Sequence, residues 1–122
     1  MARILVVDDE RDIVTLVKII LEKEGHEIVA AENGEKCMEI LRTNKPDLIL
    51  LDIRMPGESG WDICRKIKGD AETKDIPVVM FTVRGSQKSV EKSLVYAHAD
   101  AHISKPFETK DLLEKIEKLT KK

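Results

Sequence analysis

Ile4-Leu5-Val6-Val7 and Leu48-Ile49-Leu50-Leu51 are apolar at every position, with none of the alternation shown by a strand that has one wet face. Such strands are buried on both sides, and the common way to bury both is a parallel sheet with helices packed front and back. The stretches between them repeat at the helical period. Segment 10–24 places Ile13, Leu16, Val17, Ile20 and Leu21 on one predicted stripe and stops at Gly25. A weaker strand runs from Glu27 to Ala30. Asn33 is placed to cap a second helix carrying Cys37, Ile40 and Leu41, which Asn44-Lys45-Pro46 breaks. After Leu51 comes a Met55-Pro56-Gly57 loop, then a third helix with Trp61, Cys64 and Ile67 inward. Pro77 to Phe81 reads as a strand, and Ser86 caps a fourth helix through about Tyr96. Residues 101–104 read as a short strand, and helix 108–120 carries Leu112, Leu113, Ile116 and Leu119. Strand and helix alternate five times, which predicts an α/β fold.

The chain has 122 residues, enough for one domain spanning 1–122. With 23 acids against 21 bases and a net charge of −2, it has no bulk positive charge, so direct nucleic-acid binding and anionic membrane surfaces are not expected. No apolar run reaches the roughly 20 residues of a membrane helix. Cys37 and Cys64 make neither a disulfide scaffold nor a structural zinc site, and read as small buried hydrophobes. These features predict a cytoplasmic protein.

In open parallel sheets, ligands bind beyond the carboxyl ends of the strands. Asp8 and Asp9 follow the first strand, Asp52 the third, Thr82 the fourth, and Lys105, then Pro106, the fifth. Each has an ordinary structural role. An Asp after a strand often caps the next helix, Asp52 suits a turn, and a lone lysine is usually solvated. Joint placement at four strand ends argues for chemistry instead. Clustered carboxylates repel one another, and a hard divalent cation such as Mg2+ relieves that repulsion. A carboxylate beside such a cation and an ammonium can attack phosphorus. The Thr82 hydroxyl could donate to the product phosphate.

Ile4-Leu5-Val6-Val7-Asp8-Asp9-Glu10, Asp47 to Asp52 with Met55-Pro56-Gly57, Phe81-Thr82 and Lys105-Pro106-Phe107 together resemble the response-regulator receiver domain, of the stand-alone, chemotaxis type. The resemblance implies a flavodoxin-like doubly wound sheet of five parallel strands in the order 2-1-3-4-5 with five helices. It implies Asp52 as phosphoacceptor, with the phosphoryl group coming from a phosphohistidine on a sensor histidine kinase or a phosphotransfer protein. Asp9, Asp52 and the backbone carbonyl of Arg54 would hold Mg2+, or Mn2+, directly, and Asp8 would act through a water. Thr82 and Lys105 would contact the phosphoryl group, and the Lys105–Pro106 bond would be cis. Such a chain is a phosphoacceptor rather than an enzyme, with self-catalysed transfer and slow autodephosphorylation. Its output would be a downstream protein target, bound through the face of the fourth helix, fifth strand and fifth helix. A receiver cut from a longer regulator is the alternative.

Four departures from the family pattern stand out. His102 occupies the switch position where many receivers have Tyr or Phe. His98 replaces a common Gly. The stretch from Thr82 to Lys105 is one residue longer than usual, an addition expected in the loop after strand four. Val83 stands where Ala or Gly is frequent, and its bulk is expected to restrict access to the acyl phosphate. Two other classes fit poorly. A haloacid-dehalogenase-type phosphatase needs a second acid where this chain has Arg54, and a flavin or nucleotide module needs a Ser-, Thr- or Gly-rich first loop where it has Asp-Asp-Glu.

Overall fold

The chain runs β1 (Arg3–Val7), α1 (Arg11–Lys23), β2 (Glu27–Ala31), α2 (Gly34–Thr43), β3 (Leu48–Asp52), α3 (Gly60–Gly69), β4 (Val78–Val83), α4 (Gln87–Glu91), a π-helical turn (Lys92–Tyr96), β5 (Ala101–Lys105) and α5 (Thr109–Thr120). This computed structural model describes residues 2–55, 57–83, 86–105 and 107–120, with the backbone alone at Val83. The five strands are all parallel, in the order β2-β1-β3-β4-β5. The strand–helix alternation predicts the parallel sheet, and the family resemblance implies the flavodoxin-like fold with this strand order; both are found.

The unbroken apolar runs are explained by which face each residue supplies. Leu5, Val7, Ile49, Leu51, Val78 and Met80 face one side, packing with Cys37 and Leu41 of α2 and Ile63, Cys64 and Ile67 of α3. Ile4, Val6, Leu48, Leu50, Val79 and Phe81 face the other, with Val17 and Leu21 of α1 and Leu112 and Ile116 of α5. Alternate residues of these apolar runs enter opposite cores, so the runs leave no position for a polar residue. All five residues of β3, the central strand, are buried. The edge strand β2 is partly exposed, which is why it reads weakly. Both cysteines are buried thiols, each pushed up to about 12 by burial.

Two expectations need correction. Leu16 is exposed rather than inward. The buried stripe of α1 centres on Val17 and Leu21, with Ile13, Val14 and Ile20 against the core, and Leu16 falls on its flank. The fourth helix also does not run as uniform α-helix to Tyr96. From Lys92 it widens into the π turn. A π turn holds about one residue more than an α turn. The added residue between Thr82 and Lys105 is expected in the loop before this helix. Part of that loop lies outside the described residues.

The π turn is tied to α3. Trp61 Nε1 donates to Ser93 Oγ at 3.0 Å and Tyr96 OH to Asp62 Oδ1 at 2.8 Å, while Lys92 Nζ stands 4.4 Å from the Trp61 ring centroid. Beyond the turn, His98 has φ 60°. That is the left-handed region, which explains why Gly is common there and why a side chain carries a cost. Asp100 then opens the β4–β5 pairing. Its carboxylate accepts from Val78 N at 2.7 Å and lies 2.6 Å from Lys68 Nζ. His98→Gly is expected to stabilise the protein by about 0.5–1 kcal/mol in denaturant unfolding. A loss of stability would contradict the left-handed assignment.

Candidate functional site

Every strand of the central part of the sheet ends at the same rim, so residues far apart in sequence meet there. Asp8 follows β1 and is buried; its Oδ1 accepts from Glu10 N at 2.9 Å. Asp52 ends β3 and is also buried. Lys105 ends β5, and its Nζ donates to Asp8 Oδ2 at 3.0 Å and to Asp52 Oδ1 at 3.1 Å. Glu10 Oε1 is 3.5 Å from the same nitrogen. The residue at the N-cap of α1 is Glu10, and no side chain caps that helix. Helix capping therefore does not account for Asp8 or Asp9.

Carboxylate oxygens of Asp8, Glu10 and Asp52 lie within 4.8 Å of one another. One ammonium faces three carboxylates, an arrangement that leaves the rim short of positive charge. The Asp52 carboxyl is accordingly pushed up to about 6, first by burial and then by the charge of Asp8, with a smaller push from Asp9; Lys105 opposes these. Burial works against the charge on Lys105, but the two aspartates outweigh it and hold the ammonium above its ordinary value. A cluster of hard carboxylate oxygens with a surplus of negative charge fits a hard divalent cation.

Thr82 is the penultimate residue of β4 rather than the residue after it; it is almost wholly buried, and its Oγ1 has no hydrogen-bond partner among the described residues. A buried hydroxyl without a partner is costly and calls for a reason. Ser104 of β5 pairs with Thr82 in register, and His102 with Met80 two positions earlier. His102 is partly buried and its Nδ1 likewise lacks a partner among the described residues.

The structure thus brings together Asp8, Asp52 and Lys105, with Thr82 at the neighbouring strand end. Asp9 is exposed and stands outside the carboxylate grouping; it lines an adjoining cavity of about 500 Å3 with Asp8, Arg11 and Lys36. The third member of the grouping is Glu10, which sequence reasoning quoted but did not single out. Its signal was the unbroken Asp-Asp-Glu run after the strand. The Arg54 side chain is exposed, in a loop closed by Gly60 N donating to Ile53 O at 2.8 Å. Pro106, and so the Lys105–Pro106 bond, lies outside the described residues, as does the Val83 side chain; the Val83 backbone pairs with Lys105.

The raised Asp52 carboxyl makes stability depend on pH. In the unfolded chain Asp52 ionises near pH 4, whereas the folded site holds its proton to about 6. Between these values the folded state binds more protons, so stability falls as pH rises, and the full penalty is present at pH 7. Asp52→Asn is therefore expected to stabilise the metal-free protein by about 1–3 kcal/mol at pH 7 and to change little at pH 4. Denaturant unfolding in a chelating buffer at both pH values measures this, and equal effects at the two would contradict it.

Comparison with known proteins identifies the family and the fold. The family model for the response regulator receiver domain matches residues 4–117. The phosphate regulon transcriptional regulatory protein PhoB of Escherichia coli is 42% identical over 114 residues, and that of Pseudomonas aeruginosa 39% over 113. In each case 93% of this chain is matched to 49% of the relative, so the chain spans about half the length of these relatives. Among solved structures, a putative response regulator from Chloroflexus aurantiacus superposes with a TM-score of 0.95 at 26% identity, covering 99% of this chain and 98% of that one. The chemotaxis response regulator CheY4 of Vibrio cholerae gives 0.90 at 25%, with 98% of both chains covered. With the fold, the rim and a family match over nearly its whole length in agreement, the chain belongs to the response regulator receiver domain family of two-component signalling.

Proposed function

We propose that Asp52 accepts a phosphoryl group from a phosphohistidine on a sensor histidine kinase or phosphotransfer protein, and that the acyl phosphate switches a protein-binding surface. The observation that carries this reading is the Lys105 ammonium held between buried Asp8 and buried Asp52, beside a buried Thr82 hydroxyl with no partner among the described residues. An Asp52 carboxylate oxygen attacks phosphorus, forming the O–P bond. The P–N bond breaks, and its electron pair stays on the imidazole nitrogen. Lys105 turns from the carboxylate toward the phosphoryl oxygens, and the Thr82 hydroxyl donates to one of them. Mg2+, or Mn2+, held by Asp9, Asp52 and the Arg54 carbonyl with Asp8 through water, would neutralise charge on the phosphoryl oxygens when bound. Glu10 is close enough to the Asp8–Asp52 pair to take part. The chain that accepts the group also supplies the residues that assist the transfer, so it is a phosphoacceptor with slow autodephosphorylation, not an enzyme acting on another substrate.

Recruitment of Thr82 toward the phosphate would disturb β4 and, through their pairing, β5, where His102 serves as the switch position. The output surface is then the face of α4, β5 and α5. Leu94, Val95 and Tyr96 are exposed large apolar side chains on the π turn, which supports a protein target there. None of the described helices is long and apolar enough to cross a membrane, in keeping with a cytoplasmic setting. Two alternative settings suit such a domain. One is a stand-alone receiver over 1–122, like the CheY4 chain it covers almost fully. The other is a module of a longer regulator, favoured by its match to half of PhoB and to 26% of the NtrX chain of Brucella abortus.

Incubation with acetyl phosphate and Mg2+ should add one phosphoryl mass to the intact protein, and Asp52→Asn should abolish the gain. A gain retained in the variant, or none with any phosphodonor, would overturn the assignment. Val83→Ala is expected to shorten the phosphoryl half-life by several-fold, on the order of the tenfold that about 1.4 kcal/mol of barrier represents. An unchanged half-life would remove Val83 from access control.

A further inference from the structure

Gly60 opens α3 directly beneath the phosphoacceptor. A Cβ at this position would stand 2.0 Å from the carbonyl oxygen of Asp52, 2.8 Å from its carbonyl carbon and 2.9 Å from Ile53 Cα. All three are backbone atoms, so none can swing aside. The need is for space and not for left-handed backbone; the left-handed glycine of this loop is Gly57, with φ 85°. Gly34, at the start of α2, offers a contrast. There a Cβ would meet the Ile63 Cδ1 at 2.5 Å, the far end of a flexible side chain.

We propose that Gly60 is a positioning residue for Asp52: its bare Cα lets the first turn of α3 seat on the backbone of Asp52 and Ile53, and this seat sets where the Asp52 carboxylate and the Arg54 carbonyl stand at the rim. The inference rests on the reading of Asp52 as phosphoacceptor and metal ligand. Which partner yields to an added methyl decides its effect. The first turn of α3 is firmly held: Ser59 Oγ accepts from Asp62 N at 3.3 Å, Trp61 Nε1 donates to Ser93 Oγ at 3.0 Å, and Tyr96 OH donates to Asp62 Oδ1 at 2.8 Å. Ile63, Cys64 and Ile67 of the same helix are buried in the core. Asp52 is held less. Pairing of β3 with β1 ends at Leu51, so Asp52 is paired only with Phe81 of β4. Relieving the 2.0 Å contact to the 3.0 Å that real Cβ atoms tolerate takes a shift of about 1 Å, and the strand end takes most of it. A shift of about that size in a reacting or ligating group costs roughly 10- to 100-fold.

The test compares wild type, Gly60→Ala and Gly34→Ala, with folding followed by circular dichroism and thermal unfolding. Mg2+ affinity is read by calorimetry, and the rate of phosphorylation by acetyl phosphate by intact mass. Gly60→Ala should bind Mg2+ about 10- to 100-fold more weakly and be phosphorylated correspondingly more slowly. Gly34→Ala, which strains α2 against α3 away from Asp52, should stay within about twofold on both measures, as a packing change remote from the site should. A folded Gly60→Ala within twofold of wild type overturns the inference. So does an equal loss in Gly34→Ala, which would make the effect one of general stability. If Gly60→Ala does not fold, Ser59→Ala loosens the same turn by removing its cap. It should then weaken Mg2+ binding by a few-fold, and unchanged binding overturns the inference. A wild-type chain that binds Mg2+ but takes no phosphate defeats the phosphoacceptor reading alone, because the Mg2+ comparison still judges Gly60.

Discussion

The Lys105 ammonium sits 3.0 Å from Asp8 Oδ2 and 3.1 Å from Asp52 Oδ1, and so ties the ends of β5, β1 and β3 at one point. Neither aspartate would be tolerable where it is without that charge, since burying an unpaired carboxylate costs several kcal/mol. The compensation is incomplete. Asp52 is still pushed up to about 6, and Glu10 adds a further carboxylate to the same space. A site held in this state is short of positive charge. The rest of the molecule is arranged to make this rim. Two aliphatic cores clamp the sheet, and the strand order brings β1 and β3 side by side at its centre.

Two buried polar atoms, Thr82 Oγ1 and His102 Nδ1, lack partners among the described residues, and both lie on the β4–β5 side of the rim. On that same side the fourth helix departs from α geometry, and its π turn carries exposed apolar side chains. Unmet hydrogen bonds and irregular helix geometry are features that stable cores avoid and mobile elements use. Among the described residues, then, the side around β2, α1 and α2 is regular, and the side with the π turn holds both unpaired atoms. The ties from Trp61 and Asp62 to Ser93 and Tyr96 join the start of α3 to that second side.

Most of this was readable from the chain because the signals were local. An apolar run without alternation means a strand covered twice, and an Asp, Thr or Lys at its end means a residue at the rim. The misses came where local signals compete or are silent. Leu16 lies on the edge of a predicted stripe, and only the contact between α1 and the sheet decides which edge is wet. The π turn has no sequence signature, since Lys92 to Tyr96 suits an α-helix equally well. Glu10 was visible beside Asp8 and Asp9, yet nothing in the order of three acids says which of them point together.

The sequence by itself determined the alternating α/β order, the parallel sheet and the list of residues at the strand ends. Those follow from side-chain period and from chain order, which are properties of the chain. Only the tertiary structure decided the distances: that one ammonium reaches two buried carboxylates, that Glu10 rather than Asp9 turns toward them, and that Gly60 must be bare because a helix start touches Asp52. These depend on how strands far apart in sequence are placed against one another, to within an ångström. Chemistry at the rim is sensitive at that scale, because charge interaction and steric contact both change steeply with distance where water is excluded.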